Sequence, residues 1–287
     1  MKTLKDRVAV ITGAGSGIGR ALALGYAAEG CKIVVADVQA DARDETVALL
    51  MADGVEAIGV HTDVTDAESV EALATATIDR FGAVHIVCNN AGVGGGGLIK
   101  DQQLVDWKWV IDVCLWGVIH GVHSFLPHLR QQEEAHIMST ASVAGLMATT
   151  GLGPYNAAKY GVVATMETLH LEMDSDTESN VGVSVLCPGV VNTNIITAQR
   201  NRPDHLKRQK KTGAAGKDAQ KRNAAIAAAL ANGMQPADVA ACVIDANKND
   251  QFWVLSHPEH LDDIRHRNES LHSLTNPTIR TSITFGD

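Results

Sequence analysis

Short apolar runs and longer amphipathic stretches alternate along this chain from its N-terminus. Val8–Thr12 is a β-rich run, and Gly17–Glu29 carries a helical period that stops at Gly30. The same rhythm predicts strands over Lys32–Asp37, Glu56–His61, Val84–Asn89, His136–Ser139, Val183–Cys187 and Phe252–Leu255. Between them it predicts helices over Ala40–Ala52, Asp66–Phe81, Leu104–Arg130, Tyr155–Met173 and Pro236–Asn247. Strands that alternate with helices pair in parallel through right-handed crossovers. The expected fold is α/β, one Rossmann-type doubly wound parallel sheet of about seven strands flanked by helices, spanning 1–287 as a single domain.

Two stretches interrupt the rhythm. Residues 192–235 form a long polar and basic insertion, with Arg200, Arg202, Lys207 and Arg208 among its cations. It follows the carboxyl end of a strand, where ligands bind in open α/β sheets, and is expected to be a substrate-binding loop or lid. The tail over 271–287 is polar, with no readable role.

Composition narrows the class. Apolar residues make up 45% and aromatic residues 4%, so small aliphatic side chains fill a core of sheets packed tightly between helices. The formal net charge is -9, which argues against a polyanion partner such as nucleic acid. Five cysteines, none in a CxxC pair, read as buried reduced thiols of a cytoplasmic protein. The start, MKTLKDRVAVITGAG, lacks the apolar stretch of a signal peptide, and no apolar run approaches the ~18 residues that span a bilayer, so no membrane partner is expected.

The first chemical signal is the turn Thr12-Gly13-Ala14-Gly15-Ser16-Gly17-Ile18-Gly19. Glycine-rich strings also make plain turns, but this one has a strand before it, a helix after it, and an acid at the end of the next strand. Gly13, Gly17 and Gly19 let a pyrophosphate approach the backbone, and Ser16 and Ile18 sit at a helix N-terminus whose free N–H groups and dipole favour an anion. Asp37 ends the second strand, where its carboxylate can accept both adenosine ribose hydroxyls and would repel a 2′-phosphate. No basic residue occupies Val38-Gln39-Ala40, so NAD rather than NADP is the expected cofactor. Asp63, after the third strand, can accept from an adenine amino group or cap a helix, a role for which Asp66 competes.

The second signal is Ser142, Tyr155 and Lys159. Tyr155 and Lys159 are four apart, on one face of a helix. A phenol titrates near ~10, too high for a base at neutral pH, and a neighbouring ammonium lowers it. Together the turn and the pair predict nucleotide-dependent redox chemistry on a hydroxyl or carbonyl.

With Asn89-Asn90-Ala91-Gly92 and Pro188-Gly189-Val190-Val191-Asn192-Thr193 added, the chain resembles the short-chain dehydrogenase/reductase family over about residues 5–260. The resemblance implies that Tyr155 is the general acid–base, that Lys159 lowers its pKa and binds the nicotinamide ribose, and that Ser142 positions the substrate oxygen. It also places Val64, Asn90, Ala91, Gly92, Pro188, Gly189, Val191 and Thr193 at the cofactor. The family's Asn-x-x-Gly in the long helix is here Cys114-Leu115-Trp116-Gly117, so a thiol, a weak donor and acceptor, stands in the asparagine position. The implied outcome is a slower or pH-shifted proton relay. An alternative is an NAD-binding protein with impaired catalysis, serving as sensor or scaffold.

Pocket candidates are Gly94 with the glycines that follow it to 97, Val143, Leu146, Met147, Leu152, Val190, Ile195 and Ile196, all small or apolar. They predict a hydrophobic secondary alcohol or ketone as the small-molecule substrate. Helices 104–130 and 154–173 resemble the family's dimerisation pair, with Ala157, Ala158, Gly161 and Val162 permitting close approach, so a homodimer or homotetramer is expected. His120 and His123 lack a further ligand at metal spacing, and His257-Pro258-Glu259-His260 reads as a turn and cap; no metal is expected.

Overall fold

Seven strands lie side by side in the order β3-β2-β1-β4-β5-β6-β7, every neighbouring pair parallel. They are β1 Val8–Thr12, β2 Lys32–Asp37, β3 Ala57–His61, β4 Ile86–Asn89, β5 Ala135–Thr140, β6 Val181–Leu186 and β7 Trp253–Val254. The helices are α1 Gly17–Ala28, α2 Ala40–Ala52, α3 Ala67–Phe81, α4 Leu104–Ile111, α5 Gly117–Leu129, α6 Gly153–Ser175, α7 over 224–231, α8 Pro236–Lys248 and α9 Leu261–His272. This computed structural model describes residues 1–208 and 224–278. Of the expected lid and tail, 209–223 and 279–287 lie outside the described residues.

The two-residue period of each strand feeds two cores. In β1, Val8 and Val10 join the layer of α3, α5 and α6, whereas Ala9 and Ile11 join the layer of α1 and α8. β2 repeats the division, with Val34 and Ala36 on one side and Ile33 and Val35 on the other. A fully buried Ile or Val in such a position contributes ~1.5–3 kcal/mol, which is why the central strands are apolar throughout. The order reverses between β1 and β4, so the loops leaving their carboxyl ends diverge and open a crevice.

The helix expected over 104–130 is not uniform. Between α4 and α5 a five-residue π turn, Asp112–Trp116, is closed by the Gly117 N–H donating to the Asp112 carbonyl, and buried Cys114 sits at its centre. By length and composition this apolar column, Leu104–Leu129, is also the one described helix that would cross a membrane; here 44% of the qualifying window is buried inside the chain. The small residues of α6 serve that packing. Ala158 and Val162 are fully buried, and Gly161 lies against Leu115, so much of the close approach they allow is within the chain.

His136 in β5 is buried, and its Nε2–H donates to Ser184 Oγ at 2.7 Å while that hydroxyl donates to the Gln251 carbonyl. Burial pushes its imidazole down from 6.5 to about 3. The folded pKa is depressed, so its contribution is present above 6.5 and is lost as pH falls from there toward 3, at ~1.4 kcal/mol per unit of separation. Urea unfolding of His136→Leu is expected to show a flatter loss of stability over that window than the parent chain. Parallel curves would show that other groups govern acid unfolding.

Candidate active site

At one end of the crevice the β1–α1 turn doubles back on the loop after β4. A Cβ at Gly13, whose φ is +65°, would lie 2.8 Å from Ala91 Cα, and one at Gly19 would lie 2.2 Å from the Gly13 carbonyl oxygen. Side chains are excluded there, and backbone N–H groups are left facing the crevice. Thr12 Oγ1 stitches the two loops together by accepting from the Asn90 and Ala91 N–H groups at 2.9 and 3.1 Å, and Asn90 Nδ2 donates back to the Thr12 carbonyl. Asp37 is nearly buried at the end of β2. Its oxygens accept from the Gly15 and Gln39 N–H groups at 2.8 and 2.9 Å, which aims the carboxylate and leaves lone pairs for further donors. Asp63 holds Thr65 through its N–H and hydroxyl, and Asp66 caps α3, which resolves the competition between them.

At the other end stand Ser142, Tyr155 and Lys159. Ser142 follows β5 and caps a short turn: its Oγ accepts from the Ala144 N–H at 3.1 Å and lies 3.4 Å from the Pro188 carbonyl. Tyr155 lies beside Ser142, whose side chain favours the ionised phenol. Lys159, one turn on in α6, is 3% exposed; its Nζ donates to the Thr140 carbonyl at 2.6 Å and lies 5.6 Å from the Tyr155 ring centre. Burial acts on both members of the pair. Tyr155 keeps part of its surface open, but burial pushes its phenol well above the ordinary value, and Ser142 opposes this only in part. Burial lowers the Lys159 ammonium as well. Desolvation is the largest influence on both groups in the protein alone.

Cys114 stands behind the wall, not on it. Its Sγ lies 3.3 Å from the Val93 N–H, which donates to it, and 3.4 Å from the Val93 carbonyl, to which the thiol donates. The thiol thus meets both polar groups of one residue in the loop after Gly92, with Lys159 Nζ nearby across that glycine. Sulfur bonds of this kind are weak.

The segment Pro188–Thr193 leaves β6 and passes the glycine turn, with Thr193 against Gly17. His257 holds it. The ring Nδ1 accepts from the Gly189 N–H at 3.0 Å and from Ser256 Oγ at 2.9 Å, and Nε2–H donates to the Val190 carbonyl at 3.0 Å. Two donors on Nδ1 fix the neutral Nε2–H tautomer. Met234 adds backbone bonds to Val190 and Asn192 on the same segment. The turn expected at 257–260 is present, but His257 also shapes the site from 68 residues away.

These parts enclose one cavity of about 910 Å³. Its walls include every expected cofactor residue from Gly13 to Thr193, together with Ser142, Tyr155, Lys159 and the pocket residues Gly94, Val143, Leu152, Val190, Ile195 and Ile196; Cys114, Leu146 and Met147 are not among them. The pocket is less apolar than the sequence implied. Residues 194–208 of the insertion run along it and bring in Arg200, Arg202 and Arg208, and α4 adds Asp106 and Trp109. Arg200 Nε donates to Gln39 Oε1 at 3.0 Å, so a cation does reach the Asp37 end, from a part of the chain the local sequence does not reveal. His120 Nδ1–H donates to the Val64 carbonyl at 2.9 Å, and among the described residues no cluster of metal-binding side chains forms.

Residues 7–204 match the family model for short chain dehydrogenases, and the chain belongs to this family. A short chain dehydrogenase/reductase from Burkholderia phymatum, solved in complex with NAD, is 42% identical and superposes with a TM-score of 0.94 over 99% of this chain and 100% of that one. The 3-oxoacyl-(acyl-carrier-protein) reductase of Synechocystis sp. is 37% identical over 196 residues, 68% of this chain and 78% of its own. SadH of Mycobacterium tuberculosis is 42% identical over 173 residues, 60% of this chain and 63% of SadH, so that match spans less than two thirds of the relative's length.

His257→Phe keeps the ring volume and removes three hydrogen bonds. Amide exchange in the peptide spanning 188–193 is expected to accelerate by about tenfold or more, the equivalent of one to two lost bonds, with the melting transition retained. Unchanged exchange would show that Met234 and β6 hold the segment unaided.

Proposed function

We propose that this chain is an NAD-dependent dehydrogenase or reductase that interconverts a secondary alcohol and a ketone, with an apolar substrate body and Tyr155 as general acid–base. The observation that carries the reading is the Ser142–Tyr155–Lys159 arrangement in the same cavity as a glycine-rich turn and a buried carboxylate. The cradle fits NAD: the Gly13–Gly19 turn would hold the pyrophosphate, Asp37 the adenosine ribose, Lys159 the nicotinamide ribose, and Val191 and Thr193 the carboxamide. When bound, NAD supplies the acceptor or donor of the hydride.

The chain's own residues handle the proton. Ser142 fixes the substrate oxygen against Tyr155, so that the phenol takes the alcohol proton in oxidation and returns it in reduction. The Thr140 carbonyl orients Lys159 so that its charge stabilises the phenolate as it forms. The reciprocal contact of Cys114 with Val93 supports this reading over a sensor or scaffold, because the thiol still ties the helix to the loop. A cytoplasmic homodimer or homotetramer belongs to the same proposal.

Reduced-nicotinamide absorbance with a panel of apolar secondary alcohols and NAD tests it: Tyr155→Phe is expected to lower turnover by about 10²- to 10⁴-fold. Binding of NAD with no turnover by the parent chain would overturn the reading in favour of the sensor. Because the Tyr155 pKa is raised, the base form is scarce at neutral pH. Oxidation should therefore climb by up to about tenfold per pH unit through the alkaline range, while reduction, which uses the protonated phenol, stays flat through neutrality. Replacing the thiol by a stronger donor and acceptor in Cys114→Asn should move the oxidation limb to lower pH. A superimposable pH–rate profile would mean that Cys114 takes no part in the relay.

A further inference from the structure

At the wall of the cavity contributed by α4 and the insertion, two guanidinium groups converge on one carboxylate oxygen. Arg202 Nη1 and Arg208 Nε donate to Asp106 Oδ1 at 2.8 and 2.6 Å, and the Gln103 N–H donates to Oδ2. Burial by itself would raise the Asp106 carboxyl, but the hydrogen bonds from Arg208, the Gln103 backbone and Arg202 hold it below the usual range, so it carries a full negative charge. Arginine is always charged. One anion thus faces two cations, and among the described residues no second carboxylate pairs with either of them.

The two arginines differ in setting. The Arg202 side chain is 3% exposed, lies over the Trp109 ring at 5.0 Å, and has no hydrogen-bond partner at Nε or Nη2 among the described residues. It lines the cavity beside Asp106 and shares that one negative charge with Arg208. Arg208 is 45% exposed, lines the cavity, and is braced by Asp106 and by Gln102 Oε1 at 2.9 Å. Two cations on one anion leave a net positive charge, and Arg208 is the more exposed of the two. A rigidly held, half-exposed guanidinium with its counter-charge shared is a receptor for a planar oxyanion. Trp109, Leu206 and Ala198 cluster with Tyr155 between this point and the reacting end, so the wall that joins them is apolar.

We propose that Arg208, with Arg202 beside it, recognises a carboxylate carried by the substrate at the end remote from its reacting carbon, so that this enzyme acts on hydroxy acids or oxo acids with an apolar chain between the two groups. The inference rests on the dehydrogenase reading above and adds the substrate class to it. Arg208 is a specificity-determining residue, and Asp106 and Arg202 are positioning residues that set its charge and direction.

Secondary hydroxy acids of increasing chain length, each paired with its methyl ester, test the proposal with NAD as cofactor. At the matching length the acid is expected to exceed its ester in kcat/KM by about ten- to a hundredfold, chiefly through KM. Arg208→Gln is expected to collapse that ratio toward one, and Arg208→Lys, which keeps the charge without the fork, to leave part of it. Equal kcat/KM for acid and ester in the parent chain, or a ratio that Arg208→Gln leaves in place, overturns the proposal while the dehydrogenase stands. If no alcohol of either kind is oxidised, the dehydrogenase reading fails by itself. Calorimetric titration of the NAD-loaded protein with the same acids then decides the anion site, where binding that Arg208→Gln abolishes supports it and absence of binding overturns it.

Discussion

Lys159 is an ammonium ion removed almost entirely from water, and among the described residues no carboxylate pairs with it. A buried charge survives in such a place only if fixed dipoles take over from the lost hydration. The Thr140 carbonyl at the end of β5 does so, at 2.6 Å. That one bond dictates where the first turns of α6 can lie, and with them Tyr155. It also explains the tight seam between α6 and the turn after Ser142, where a Cβ at Gly145 would sit 2.6 Å from the Lys159 carbonyl oxygen. Because β5 pairs with β4 on one side and β6 on the other, the loops that leave those strands flank the same ion. Fold and candidate site share one anchor.

The sequence revealed what depends on local order. The turn at Gly13–Gly19, the acid at Asp37 and the i, i+4 pair Tyr155–Lys159 each lie within one element or at its junction, so periodicity and spacing disclose them. All seven strands and most helices fall within a few residues of their predicted bounds for the same reason. Long-range contact escaped. Asp106 and Arg202 are 96 residues apart, Gly189 and His257 are 68 apart, and Arg200 reaches Gln39 across 161. Each polar pair forms because the topology delivers loops to one edge of the sheet, and nothing in either local stretch announces its partner. The tyrosine electrostatics escaped too, since spacing shows which charges are neighbours but not how much water remains between them.

The helix that carries Cys114 shows how a local irregularity serves the site. A π turn inserts one residue into the helical repeat, so α5 continues with its side chains rotated relative to those of α4. α4 can therefore point Asp106 and Trp109 inward at the cavity, while α5 turns Val118, Phe125 and Leu129 into the sheet-facing core. A regular helix would have to give up one set of contacts for the other.

The family match ends at residue 204, yet His257, which grips the Pro188–Thr193 segment, lies well beyond it. The Ser142, Tyr155 and Lys159 end of the cavity and the ring that holds the neighbouring loop thus lie in different parts of the chain. Among enzymes with lids and clamps, departure of the product is often slower than bond making. Here the ring that grips Gly189 and Val190 is supplied by the C-terminal part of the chain, outside the matched region.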